Sequence, residues 1–155
     1  MTAPVPVWAV FMSKLLIAFR FLLVIQLWIG ILFLISGMMI KVEGPIPAEI
    51  GLWLLRGTLA GAAIAALQLF LSMIIRSFTL PVIIALLGSI ASVGITAKGF
   101  GLFSPYALMI LGMNANKAED MLGGQLVSFL AAAAGFLLLF CLLSVVWLKK
   151  RDIRG

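Results

Sequence analysis

The chain has no histidine, a single cysteine and only five acidic residues in 155. Without histidine there is no Ser-His-Asp or Cys-His hydrolase, no HExxH zinc site and no His-ligated haem. Cys141 alone closes no intramolecular disulfide and builds no metal site; in its apolar run it reads as a packing residue. Neither GxxxxGK[ST] nor GxGxxG occurs, so the chain carries no known motif for ATP hydrolysis or dinucleotide binding. Charge is scarce: Asp, Glu, Lys and Arg make up 10% of the residues, against about 25% in a soluble domain. No catalytic residues, metal or cofactor are expected.

What fills the chain is apolar, 65% of all residues. One bilayer crossing takes about 20 apolar residues. Four runs are long enough, at about 21–40, 51–75, 79–97 and 126–148. They predict an all-α polytopic membrane bundle in one domain, residues 1–155. A fifth apolar run, 100–113, is only 14 residues long and is broken by Ser104 and Pro105. It reads as a re-entrant or interfacial segment. Residues 7–14, after Pro4 and Pro6, read as a short interfacial helix. Only Arg76, Ser77 and Phe78 stand between spans two and three, with Pro81 suited to a first helical turn; the two spans are expected to form a tight antiparallel hairpin.

The net charge of +6 sits at the edges of the apolar runs, as topology signals do, and does not point to nucleic acid. With four spans the termini share a side. That side carries Lys14, Arg20, Arg76, Lys149, Lys150, Arg151 and Arg154; the other carries Lys41, Arg56, Lys98 and Lys117. Seven against four places both termini in the cytoplasm. The basic C-terminal tail also suits anionic membrane lipids.

Within the spans, Gly57, Gly61 and Ala65 recur every four residues, a face that lets helix backbones approach at a helix or subunit interface. Gln26 and Gln68 are amides in apolar runs; each needs a partner, with substrate contact as the functional alternative. Gln68 and Arg56 are the candidate substrate contacts. Glu119 and Asp120 are adjacent, about 100° apart on a helix, and read as a solvated loop. No acidic residue lies mid-span, which argues against a proton- or cation-coupled pump.

The order of elements resembles the membrane subunit of ABC-2-type transporters, more narrowly the lantibiotic-immunity permeases. The matching residues are Pro4 and Val5, Trp8, Ser13 and Lys14, the Arg76 turn with Pro81, Ser104 with Pro105, and the tail from Trp147 to Ile153. The chain is similar to the C-terminal two-thirds of a six-span member, with Val7 where a basic residue is common. The resemblance implies a bacterial cytoplasmic-membrane permease that expels hydrophobic antimicrobial peptides. It implies a separate cytoplasmic ATP-binding subunit, docked by a coupling helix through Pro4, Val5, Trp8, Phe11, Ser13 and Lys14. It implies a second permease chain, in a homo- or heterodimer. Two other classes fit the residues alone: a small holin-like pore-former, and a structural scaffold subunit.

Overall fold

The computed structural model describes residues 7–41, 48–115 and 120–152. All of its regular structure is helical, in the order α1 (Val7–Met39), α2 (Ile50–Ile74), α3 (Thr79–Ala97), a 3-10 turn (Gly101–Phe103), α4 (Pro105–Gly112) and α5 (Leu126–Asp152). Helices α1, α2, α3 and α5 are each long and apolar enough to cross a membrane. The expected all-α membrane bundle is therefore the observed architecture.

Helix α1 departs from expectation. The interfacial helix at 7–14 and the span at 21–40 are one unbroken helix of 33 residues. No proline lies between Val7 and Met39, and the Ser13 hydroxyl donates back to the Ala9 carbonyl at 2.8 Å, inside the helix. Nothing breaks the backbone ladder, so no turn separates the two segments. At 1.5 Å per residue the helix is about 50 Å long, against about 30 Å of hydrocarbon.

Helix α2 is the centre of the bundle and touches each of the other four helices. Its buried residues are mostly small: Gly57, Ala60, Gly61, Ala62, Ala63 and Ala66. Small side chains let neighbouring backbones come close, the main source of packing energy where lipid competes equally for apolar groups. Helix α1 runs antiparallel to α2: Gly30 lies against Leu54, Gln26 against Leu54 and Gly57, and Leu22 against Gly61. On another side Ala60 joins Leu108 and Leu111 of α4, Leu122, and Phe129 and Ala133 of α5 in the apolar core.

The expected tight hairpin of spans two and three is not formed. Helices α2 and α3 touch little, whereas α4 packs extensively on both. Helix α4 acts as a wedge. The chain leaves α3 at Ala97, turns back through Gly99 (φ +81°) and the 3-10 turn, and re-enters the bundle at Pro105. The ring of Tyr106 then lies on Gly88, nine residues from the end of α3 and so about 14 Å into the bundle. From there α4 climbs back until Gly112 meets the backbone of Arg56. The run was too short to cross, and the structure uses it as a re-entrant element.

The outward faces of α1 and α3 stay apolar: Phe21, Val24, Leu27 and Trp28 on one, Leu86, Leu87, Ile90 and Val93 on the other, are exposed. Such faces are stable only against hydrocarbon or another apolar surface.

Candidate functional site

Splaying α3 from α2 creates a V-shaped gap. Helix α4 fills the half away from the chain termini. The half near the termini is an open cleft of about 540 Å³, within the range of small-molecule sites. Its walls include Ala18 of α1, Ala65, Gln68 and Ser72 of α2, and Pro81 of α3, with Arg76 in the turn at its mouth. The lining holds no acidic residue.

Gln68, at the end of the cleft away from Arg76, is held by a hydrogen bond from α4. Gln68 Nε2 donates to the Tyr106 hydroxyl at 2.5 Å. Proline at the start of α4 suits a first helical turn, where its missing N–H costs nothing. The phenol next to it points its polar tip at the Gln68 amide and rests its ring on Gly88, where a larger residue would collide. Both partners would otherwise hold an unsatisfied polar group among apolar side chains.

A second polar cluster lies at the other end of α2. Arg56 is 6% exposed. Its Nη1 donates to both carboxylate oxygens of Asp120, at 3.1 and 3.3 Å. Asp120 Oδ1 also accepts from the Leu122 N–H at 3.2 Å. Beside this pair, Gln26 Nε2 reaches the Leu54 carbonyl and the Met113 sulfur, each at 3.4 Å. Asn114, held at φ +50°, accepts the Met121 N–H at 2.8 Å. These bonds tie α1, α2, the end of α4 and the segment before α5 together. Their chemistry is that of a clasp: one buried cation neutralised by one half-exposed carboxylate.

The sequence candidates divide accordingly. Pro4 and Val5 lie outside the described residues. Trp8, Ser13 and Lys14 are exposed on the first turns of α1, whereas Phe11 is 1% exposed and buried within the bundle. Phe11 is thus packed against the bundle, in contrast to its exposed neighbours on the same turns. Gly57 and Gly61 serve helix packing inside the chain, against Gln26 and Met113 and against Leu22. Ala65, third in that row, lines the cleft instead. Gln68 borders the cleft, but its amide is engaged by Tyr106. Arg56 does not line the cleft and is ion-paired with Asp120. Asp120, expected in a solvated loop, is that ion pair's partner. Tyr106 was missed. The signal was present: it is the chain's only tyrosine, set in an apolar run, and a phenol there needs a partner, as Gln68 does.

The family profile described as "ABC-2 family transporter protein" matches residues 1–92, which take in α1, α2 and most of α3. No curated protein and no solved structure matches the chain.

Proposed function

This chain belongs to the ABC-2 family of transporter proteins, and from that membership we propose that it is the membrane-spanning permease subunit of an ABC transporter that expels hydrophobic antimicrobial peptides. As a family member it is a membrane transport component, a role that ordinarily works with an ATP-binding subunit. The observation that supports the finer reading is the pair of exposed apolar faces on α1 and α3, with Phe21, Val24, Leu86 and Ile90 among them, which suit a hydrophobic peptide and a second permease chain.

In this reading both termini lie in the cytoplasm of a bacterial cell, consistent with the basic residues at that end. The ATP-binding subunit docks on the first turns of α1, through Trp8, Ser13 and Lys14, with Pro4 and Val5 ahead of them. Buried Phe11 anchors these turns to the bundle, so a push on them moves α1 as a rigid rod. A second permease chain, identical or related, completes the transporter. Cargo is taken from the bilayer and passes outward along the apolar faces between the two permease chains. The hydrolysis that drives the cycle belongs to the other subunit; this chain supplies a path and two packings of it.

The test is reconstitution of the chain with its ATP-binding subunit in liposomes, following a fluorescent hydrophobic cationic peptide. ATP-dependent peptide movement, lost in Trp8→Asp together with co-purification of the ATPase, is the expected result. Dye leakage caused by the chain alone, without ATP, overturns it in favour of a pore-former. A stable complex with no ATPase in it overturns it in favour of a scaffold.

A further inference from the structure

The mouth of the cleft has a chemistry of its own, which does not rest on transport. Arg76 stands in the turn between α2 and α3, and makes no ion pair among the described residues. Ser77 lines the mouth beside it. Helix α3 starts three residues later without a side-chain cap, so the N–H groups of its first turn add positive potential. From Gln68 the cleft runs six residues to the end of α2, about 9 Å, and Ile75 and Arg76 lengthen it further, toward the roughly 15 Å depth of one hydrocarbon leaflet. Its walls are mainly apolar, and none of the lining residues is acidic. A cationic group gains nothing at this mouth; an anionic one does.

We propose that the cleft is a binding site for an anionic phospholipid of the leaflet on the side of the chain termini, with one acyl chain between α2 and α3 and the phosphate at Arg76. Length, charge and position all select this occupant. Arg76 closes one end of an apolar run, where the phosphate layer of a membrane lies. The cleft reaches the middle of the bundle, where an acyl chain ends. Its volume of about 540 Å³ suits one chain rather than a folded peptide. The second acyl chain stays in the bilayer. A free anion lacks the apolar half of the contact and is not the ligand.

Native mass spectrometry of the purified full chain in detergent tests this, with dioleoyl phosphatidylglycerol and dioleoyl phosphatidylcholine as competing probes. One retained lipid is expected, phosphatidylglycerol favoured by about fivefold, as for one cation at an anionic headgroup. R76Q removes the preference and R76K keeps it. A65F, which fills the cleft, lowers retention of both lipids; S72F repeats that test should A65F fold poorly. K149Q/K150Q, altering the basic tail, leaves the preference unchanged. Millimolar inorganic phosphate does not displace the lipid. The proposal is overturned if R76Q keeps the preference, if the tail variant abolishes it, if phosphate displaces the lipid, or if neither cleft-filling variant lowers retention.

Discussion

Gln68 of α2 and Tyr106 of α4 meet through a hydrogen bond of 2.5 Å, 38 positions apart in the chain, and that bond ties the first turn of the re-entrant helix to a residue that lines the cleft. Neither residue has an alternative polar partner among the described hydrogen bonds. Removing one end leaves the other unsatisfied in an apolar surrounding. Tyr106→Phe keeps the ring on Gly88 and loses only the hydroxyl, so its cost is that of one hydrogen bond between membrane helices, about 1 kcal/mol. Gln68→Leu is expected to cost a similar amount, and the double variant no more than either alone. A double-mutant cycle on unfolding in mixed micelles measures this. Full additivity shows that the two side chains are not coupled.

The same ring gives a comparison within one helix. Gly88 and Gly94 both lie on α3. A methyl group on Gly88 would meet the Tyr106 ring within 2.5–2.7 Å, whereas one on Gly94 meets nothing within 4 Å. Gly94→Ala should be neutral or stabilising by up to about 1 kcal/mol, because alanine is the better helix former. Gly88→Ala must displace a rigid ring and with it the Gln68 bond; overpacking of this kind costs about 1–3 kcal/mol and outweighs the helical gain. Thermal unfolding in detergent reads both. Equal midpoints for the two variants contradict the packing of α4 on α3.

The Arg56–Asp120 pair predicts an asymmetry. Asp120 is half exposed and Arg56 is buried, with side-chain exposures of 45% and 7%. Asp120→Ala strands a buried cation, whereas Arg56→Met removes it and leaves a carboxylate that water can reach. The expected loss is about 1–3 kcal/mol for Asp120→Ala and clearly less for Arg56→Met, with Arg56→Met restoring much of the stability lost in Asp120→Ala. Urea-dependent accessibility of a cysteine introduced at Gly123 follows the opening of this clasp. Identical losses for the two single variants count against it.

Trp8 and Phe11 separate docking from packing. They are three residues apart on α1, yet Trp8 is 56% exposed and Phe11 1%. Phe11→Ala opens a cavity, costs about 3–5 kcal/mol of stability and lowers the unfolding temperature. Trp8→Asp leaves the unfolding temperature of the isolated chain unchanged and lowers recovery of the ATP-binding subunit in pull-down. A Trp8→Asp chain that retains its ATPase in full removes the docking role.

Much of the fold was legible because a bilayer sets strict lengths. The runs of 20, 19 and 23 uncharged residues at 21–40, 57–75 and 126–148 are long enough to cross and the 14 at 100–113 are not, and that arithmetic needs no tertiary information. The candidate site was legible only in pieces. Gln68 was marked by being an amide in an apolar run, but the nature of its partner was not. Arg56 was visible as a charge within a span, yet whether it met cargo, lipid headgroups or Asp120 depended on where residues far along the chain returned.

Composition and run lengths already pointed to an all-helical membrane bundle, four spans and a short element that does not cross. Only the tertiary structure decided that α4 wedges α2 from α3, that Asp120 closes on Arg56, that Phe11 points inward and that Arg76 guards a cleft. The physical reason is the solvent. In water a helix betrays its buried face by polarity; in hydrocarbon both faces of a span are apolar, so the faces of α1, α2, α3 and α5 carry little of that signal. Which surfaces meet is settled by shape and by a few hydrogen bonds across long loops, and these exist only once the helices are packed.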